Sequence, residues 1–291
     1  MVGATSTVAA SQQTAVRQSL TTSVASTAVR DSLTALVSDS MENTALFDSC
    51  KLAVSCSWGT GSKWVALYGD SHAPMWATAI VPALLSKGFR VSMNWMPGCT
   101  PAHLTVQSPS ALCNTTWRGT AENNVIKAKN KPVAVIVMER TSDITLTNGK
   151  PPTKKQLSNG LATTLSNFTK AGLKVVLLGD NPVMMSGDTY SGTYLPGGCV
   201  SLHLTSLRSC DTSLAASLKF TFTTAERDAA AAAHATYIDT TPWFCSTLTQ
   251  QCPSVIGNYV AYRDAGHLSF AYAATLRNLV TEALRGPLRL S

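Results

Sequence analysis

From Trp64 onward, short apolar runs of strand length alternate with longer segments of helical character. This alternation is typical of an α/β protein in which helices cover both faces of a sheet. Several of the short runs are rich in Val, Ile and Leu, as buried parallel strands are. We therefore expect a three-layer α/β/α sandwich with a mainly parallel sheet. The predicted strands are 64–68, 89–94, 132–138, 173–178 and 236–238, and the predicted helices are 74–87, 116–129, 153–171, 212–234 and 269–284.

The 291-residue chain carries a formal net charge of +7, although only 13% of its residues are charged. The sequence has no block of like charge. It also has no basic stripe interleaved with aromatic residues, which is the pattern that nucleic-acid-binding proteins show. We therefore expect no nucleic-acid partner. A thinly spread positive charge is compatible with anionic envelope polymers or lipid headgroups.

The eight cysteines follow one another as near neighbours, which favours four local disulfides. Eight cysteines allow about 105 pairings, so sequence alone does not fix the connectivity. Pairing nearest neighbours closes four short loops without threading the chain. The alternatives are free thiols or a zinc site, but zinc sites usually show cysteines about two to four residues apart, and no C-x-x-C cluster is present. Disulfides imply an extracytoplasmic compartment. The expected pairs are Cys50 with Cys56, Cys99 with Cys113, Cys199 with Cys210, and Cys245 with Cys252.

No export signal or membrane span is recognisable in the sequence. The N-terminus lacks the basic start and unbroken apolar core of a signal peptide. No run approaches the roughly 18 apolar residues that a membrane span needs. We therefore expect this sequence to be the soluble part of a larger protein that another segment tethers to the membrane.

Two short strings nearly two hundred residues apart supply a nucleophile, a base and an orienting acid. The first, at 69–72, reads Gly-Asp-Ser-His and lies between a predicted strand and a predicted helix. Ser71 is thus expected at a helix N-terminus, where free N–H groups can stabilise an oxyanion. The second string, at 264–267, reads Asp-Ala-Gly-His. His267 can activate a serine hydroxyl, and Asp264 can orient the histidine ring.

These strings resemble the SGNH (GDSL-type) hydrolase superfamily. Gly-Asp-Ser-His-Ala at 69–73 and Arg-Asp-x-x-His-Leu-Ser at 263–269 are similar, more narrowly, to SGNH domains fused to acyltransferase-3 membrane modules. The resemblance covers roughly residues 63–284. It implies that Ser71 carries an acyl group as an ester, that His267 activates it and that Asp264 orients His267. It also implies a membrane module that delivers the acyl group, commonly acetyl, to an extracytoplasmic carbohydrate.

The oxyanion-hole positions match the superfamily less closely. Gly98 follows the second predicted strand, where the superfamily has a glycine whose N–H is a donor, although Pro-Gly is also a common turn. The third superfamily block reads Gly-x-Asn-Asp, whereas this chain has Met-Glu-Arg-Thr at 138–141. The asparagine donor is absent. Arg140 can take its place as an oxyanion donor or form a surface ion pair.

Several other residues could belong to the site. Asp70, His72, Asp264 and His267 include possible metal ligands, but a metal would leave Ser71 without a purpose, so we expect neither metal nor cofactor. Asp180 is interpreted as a turn or cap residue. The loop 181–210 is rich in Gly, Ser and Thr and is either a flap over the site or an insertion away from it.

The first 45 residues differ in composition from the rest. They are rich in Ser, Thr and Ala and contain few large apolar side chains. This composition suits a linker, whereas the Ala-rich stretch 14–37 could form a helix that docks. We expect residues 1–45 to be a linker or helical arm and residues 46–291 to be an SGNH-like catalytic domain.

The function expected from these features is serine-dependent O-acyl transfer to a cell-envelope glycan or glycolipid. An esterase would use the same Ser, His and Asp with water as the acceptor. A third reading is a non-catalytic glycan-binding module in which the altered third block marks a degenerate site.

Overall fold

The computed structural model describes residues 7–41, 43–48, 55–107, 112–187, 189–219 and 221–290. Helices and strands alternate along the chain from residue 55 onward. The helices are α1 (Thr7–Ser19), α2 (Thr27–Ala35), α3 (His72–Leu85), α4 (Arg118–Ile126), α5 (Lys154–Lys170), α6 (Pro196–Leu202), α7 (Leu214–Lys219), α8 (Thr223–Ala232), α9 (Thr241–Phe244), α10 (Phe270–Thr275) and α11 (Arg277–Leu288). The strands are β1 (Ser55–Trp58), β2 (Trp64–Gly69), β3 (Arg90–Trp95), β4 (Ala134–Met138), β5 (Lys174–Leu178), β6 (Thr212–Ser213), β7 (Thr236–Ile238), β8 (Gln251–Cys252), β9 (Val255–Ile256) and β10 (Tyr259–Val260).

The central sheet has six strands in the order β1-β3-β2-β4-β5-β7. Strands β3, β2, β4, β5 and β7 are parallel, and β1 pairs with β3 in the antiparallel direction. The chain passes from β2 outward to β3 and then returns to the other side of β2 to form β4. The carboxyl end of β2 therefore lies at a reversal of strand order, where ligands bind in open α/β sheets.

Each face of the sheet supports its own hydrophobic core. Along β2, Val65 and Leu67 point to the core that contains α3 and α11. Ala66 and Tyr68 point to the opposite core, which contains residues of α5 and α8. Successive strand residues alternate between faces, so a strand covered on both faces must be apolar throughout, as β2 is. The predicted three-layer architecture is confirmed.

The five predicted strands are all present, but two predicted helices are each split in two. The stretch predicted as one helix over 212–234 contains β6, α7 and α8. At the break, the backbone N–H of Phe222 donates to the hydroxyl of Thr141 at 3.2 Å, and this contact with the loop after β4 replaces a helical bond. The helix predicted over 269–284 is interrupted at the buried Leu276, between α10 and α11. The edge strand β1 was not predicted.

Residues 7–41 form α1 and α2, which pack against the rest of the molecule. Val16 of α1 is fully buried in the core that contains α3. Val29 of α2 joins a smaller cluster with Val200 and Val260. The division of the chain at residue 45 into two units stays a prediction. Within the described residues, none of the helices combines the length and the hydropathy that a membrane span requires.

Three disulfides join the cysteine pairs that the spacing favours. They link Cys99 to Cys113, Cys199 to Cys210 and Cys245 to Cys252. The fourth expected pair includes Cys50, which lies outside the described residues. The first of these bridges ties the loop after β3 to the short π-helical segment Cys113–Trp117 that begins α4.

The close approach of β2 and β4 beside Ser71 requires glycine at position 69. A Cβ atom there would collide with the carbonyl oxygen of Met138 and lie 3.2 Å from the Cβ of Ala73. We expect Gly69→Ala to lower the free energy of unfolding by about 1 to 3 kcal/mol, because β2 and β4 must move apart. Urea unfolding measures the change.

Gly119→Ala is the matched control for this substitution. Gly119 lies in α4, and a Cβ there would meet no atom within 4 Å. We expect this variant to be as stable as the original chain or up to about 1 kcal/mol more stable. Equal stability of the two variants would contradict the steric argument.

Candidate active site

Ser71 lies where β2 turns into α3, at the carboxyl edge of the sheet. It is the N-cap residue of α3, which begins at His72. The buried carboxylate of Asp70 holds this turn, because its Oδ1 accepts a hydrogen bond from the His72 N–H at 2.8 Å. Its Oδ2 accepts one from the backbone N–H of Arg140, also at 2.8 Å. The loops after β2 and β4 are thus fastened together beside Ser71.

The three side chains named from the two strings lie within hydrogen-bond distance of one another. His267 Nε2 is 2.7 Å from Ser71 Oγ. On the other side of the ring, Nδ1 is 2.8 Å from Asp264 Oδ2. Asp264 Oδ1 also accepts the backbone N–H groups of Gly266 and His267 at 2.9 and 2.8 Å. This is the geometry of a nucleophile, a base and an orienting carboxylate.

The pKa values of the pair fit a neutral imidazole beside an ionised carboxylate. Burial lowers the pKa of His267 to about 4, and the charges of His72 and Arg140 act in the same direction, although the hydrogen bond with Asp264 opposes them. Burial raises the pKa of Asp264, but the hydrogen bonds and charge of His267 outweigh burial and hold it below its usual range. At neutral pH His267 therefore has a free lone pair for the serine proton.

The side chain of Arg140 reaches the Asp264 side of His267. Its Nη1 is 3.3 Å from His267 Nδ1 and 3.9 Å from Asp264 Oδ1. Its Nη2 pairs with Asp143 Oδ2 at 2.9 Å. Ser71 contacts the opposite ring nitrogen of His267. These contacts therefore favour a role for Arg140 as a positive charge beside His267 and Asp264 over a role as an oxyanion donor. A Cβ at Gly266 would collide with the guanidinium group, so glycine at 266 allows this approach.

A cleft of about 320 Å³ opens over Ser71 and His267. Its walls include apolar side chains, among them Val106 and Ile144, and polar groups such as Gln107. Gly98 and Arg140 also line it, so both candidate oxyanion donors share the cleft with Ser71. Gly98 has φ of +69°, a conformation that side-chain-bearing residues rarely adopt. The donor roles of Gly98 and Arg140 stay predictions.

A second histidine and aspartate lie beneath the first pair, and sequence reasoning did not assign them this place. The rings of His72 and His267 meet edge to face, with centroids 5.0 Å apart. His72 Nδ1 lies 3.2 Å from Asp180 Oδ1. Asp180 Oδ2 accepts the backbone N–H and the hydroxyl of Thr141, each at 2.8 Å. Asp180 is therefore a buried anchor between loops. Its position two residues after the end of β5, on the edge that holds Ser71, was the available signal.

The long loop after β5 contributes Tyr190 to the site, which the sequence did not indicate. The Tyr190 hydroxyl accepts a hydrogen bond from Arg140 Nη2 at 3.2 Å and donates to Asp143. Burial raises the pKa of Tyr190 to about 12, so its hydroxyl stays protonated at neutral pH. The disulfide-bonded part of this loop instead packs on α2. The loop thus touches the site at one end and the N-terminal helices at the other.

Glu139 is a buried carboxyl group next to the cleft. Its side chain is 1% exposed and accepts a hydrogen bond from the hydroxyl of Thr100, which lines the cleft. Burial raises the pKa of Glu139 to about 8, although the Thr100 hydrogen bond opposes the shift. Glu139 is therefore mostly neutral at pH 7 and adds little charge to the site.

Among the described residues, the group with metal-ligand spacing is Cys199, His203 and Cys210, away from Ser71. Cys199 and Cys210 form a disulfide, so their sulfur atoms are not thiolate ligands. The sequence also offered four possible metal ligands near Ser71. The structure places these side chains in the contacts described above: Asp70, His72, Asp264 and His267.

The fold and this constellation define the class of SGNH hydrolases, α/β sandwiches with a serine after the first parallel strand. The family model described as the SGNH domain fused to AT3 domains matches residues 37–282. The chain therefore belongs to this family of SGNH domains. No curated protein sequence matches the chain significantly.

The chain is similar to several solved structures at low sequence identity. The periplasmic domain of a lipopolysaccharide acetyltransferase from Salmonella serovar Paratyphi A is 15% identical, with a TM-score of 0.60 over 77% of this chain and 84% of that one. A putative acylhydrolase from Bacteroides fragilis is 14% identical, with a TM-score of 0.47 over 78% of this chain and 88% of that one. An acetyl-xylooligosaccharide esterase from Geobacillus is 15% identical, with a TM-score of 0.43 over 80% and 96%.

The surroundings of His267 predict its titration. We expect its ring to titrate near pH 4 in the folded protein, well below the value of about 6.5 for a free histidine. Arg140→Gln removes a positive charge that disfavours the imidazolium ion, so it should raise this pKa. Nitrogen-15 NMR of the histidine rings measures both values. An unchanged pKa in the variant would contradict the placement of the guanidinium beside the ring.

Proposed function

We propose that the chain is an extracytoplasmic O-acyltransferase domain that uses Ser71 to move an acyl group, commonly acetyl, to a hydroxyl of an envelope glycan or glycolipid. The observation that carries the proposal is the contact of Ser71 Oγ with His267 Nε2 at 2.7 Å, in a cleft next to the hydrogen-bonded Asp264–His267 pair. A glycan-binding module has no need of this arrangement.

In the first step Ser71 attacks the carbonyl carbon of the acyl donor, while His267 Nε2 takes the hydroxyl proton. Asp264 holds the ring through Nδ1 and stabilises the imidazolium that forms. The tetrahedral intermediate carries its negative charge on the former carbonyl oxygen. The N–H groups of Ser71 and Gly98 are the proposed donors to that oxygen. His267 then gives its proton to the leaving group as the acyl-serine ester forms.

In the second step a sugar hydroxyl enters the cleft and His267 takes its proton as the oxygen attacks the acyl-serine. Collapse of the second tetrahedral intermediate returns the proton to Ser71 and releases the acylated sugar. Water would complete the same cycle as an esterase, because the protein groups are identical. The choice between the two acceptors depends on how the cleft admits water and binds the sugar.

Family membership and the disulfides support an envelope setting for this chemistry. The family is that of SGNH domains fused to AT3 domains, and we propose that such a membrane module delivers the acyl donor as part of the same polypeptide. The structurally similar Salmonella domain is periplasmic and comes from a lipopolysaccharide acetyltransferase. Three disulfides suit an oxidising compartment outside the cytoplasm.

Replacement of the nucleophile tests the proposal directly. We expect Ser71→Ala to lower release of p-nitrophenol from p-nitrophenyl acetate by about a thousandfold or more, since the acyl-serine cannot form. With an oligosaccharide added, mass spectrometry should detect acetyl groups on the sugar for the original chain only. Ser201→Ala, which changes an exposed serine on α6, is the control and should keep full activity.

Acetate released to water with no acetylated sugar would favour the esterase. Turnover that persists in Ser71→Ala would show that Ser71 is not the nucleophile. Absence of turnover in the original chain, together with sugar binding, would favour the glycan-binding module.

The pH dependence of kcat/KM reports the pKa of the catalytic base in the free enzyme. His267 acts as a base only when neutral, so kcat/KM should be constant from about pH 5 to pH 7 and fall about tenfold per pH unit below about pH 4. In Arg140→Gln the acid limb should move to higher pH with the raised pKa. A fall of about a hundredfold or more on the pH-independent plateau would instead identify Arg140 as an oxyanion donor.

A further inference from the structure

The loops that lead into β2, β3 and β4 carry lysines and no acidic residue, and Lys170 and Lys174 flank the short loop before β5. These loops are 59–63 before β2, 86–89 before β3, 127–133 before β4 and 171–173 before β5. The segments that leave the same strands hold carboxylates instead: Asp70 after β2, Glu139 after β4 and Asp180 after β5. The exposed basic groups therefore lie on the edge of the sheet opposite Ser71.

Six exposed lysines gather at this edge, and we call their surface the amino-edge face. Strand register brings them together, because Val65 of β2 aligns with Ala134 of β4, and Ala134 aligns with Lys174 of β5. Neighbouring strands lie about 4.8 Å apart, so the three strands begin within about 10 Å of one another. The six residues are Lys63, Lys127, Lys129, Lys131, Lys170 and Lys174.

Acidic partners do not neutralise the amino-edge face. None of the ion pairs among the described residues involves one of its six lysines. Lys131 donates to the carbonyl oxygen of Ala171 at 2.8 Å, which ties the start of β4 to the turn before β5. Like charges gathered at one edge repel one another. An anionic surface would relieve this repulsion.

The chemistry of the face fits lipid headgroups better than a specific anionic ligand. All six groups are lysines, which act as flexible point charges, whereas recognition of a single phosphate or carboxylate favours the planar fork of arginine. Val133 stands among them with 37% of its side chain exposed, so an apolar group lies within the basic surface. Clustered lysines of this kind attract anionic phospholipids, each lysine adding to the affinity.

We propose that the amino-edge face docks this domain onto an anionic phospholipid surface. Ser71 follows the far end of β2, and a six-residue strand spans about 20 Å. Docking would therefore leave the cleft on the side of the domain that faces away from the lipid. The docking proposal rests on the lysines of the amino-edge face and not on the reaction at Ser71.

Vesicle co-sedimentation tests this proposal. The probes are vesicles of phosphatidylcholine with about a third phosphatidylglycerol and vesicles of pure phosphatidylcholine. We expect binding to the first alone, and weaker binding as salt is raised. Lys127→Glu/Lys129→Glu should weaken it about tenfold or more. The matched control is Lys150→Glu/Lys155→Glu, which changes net charge equally at exposed lysines outside the face and should bind within about twofold of the original chain.

Each other outcome overturns the proposal. Equal weakening in both double variants would mean that net charge alone drives binding. Binding to the soluble polyanion heparin but not to the anionic vesicles would assign the face to an anionic polymer. Failure of the original chain to bind the anionic vesicles would exclude a phospholipid surface as the partner of the amino-edge face. Far-ultraviolet circular dichroism confirms that each variant is folded, independently of any activity at Ser71.

Discussion

The buried carboxylate of Asp70 is the contact on which the candidate site depends. Its two oxygens accept backbone N–H groups from His72 and Arg140, and so join the loops after β2 and β4. Burial raises the pKa of Asp70, but the charge of His72 and these two N–H groups oppose that shift. The same carboxylate therefore sets the position of Ser71 on one side and the start of the Arg140 side chain on the other.

Around this contact, the carboxyl edge of the sheet concentrates buried acidic groups. Asp180 fastens the loop after β5 to Thr141, and its N–H donates to Glu226 on α8 at 2.9 Å. Burial raises the pKa of Glu226 well above its usual value. A neutral Glu226 can sit beside Asp180 without like-charge repulsion, which lets the edge hold many carboxyl groups in a small volume. These loop-to-loop contacts support the ring of His267.

The two edges of the parallel sheet carry different titratable groups. Acidic groups lie at the carboxyl ends of the strands and lysines at the amino ends, although the sequence shows no long block of either sign. Parallel strands produce this separation because every strand enters the sheet at the same edge and leaves at the other. The exposed lysines thereby gather on the face away from the cleft.

The sequence alone is enough to predict the strands of the parallel sheet and the three side chains that meet beside the cleft. Runs of Val, Ile and Leu are enough to predict buried strands, and Ser71, Asp264 and His267 stand in short strings with few alternative readings. The sequence does not predict the break at Phe222, the place of Tyr190 or the anchoring role of Asp180, which the folded chain sets. These features depend on contacts between segments far apart in the chain, and local propensity carries no information about such contacts. Arg140 is an example of a residue whose place the sequence does not give. Its residue type suggested an oxyanion donor. In the folded chain, the space left by Gly266 and the carboxylate of Asp143 direct its guanidinium group to the Asp264 side of His267.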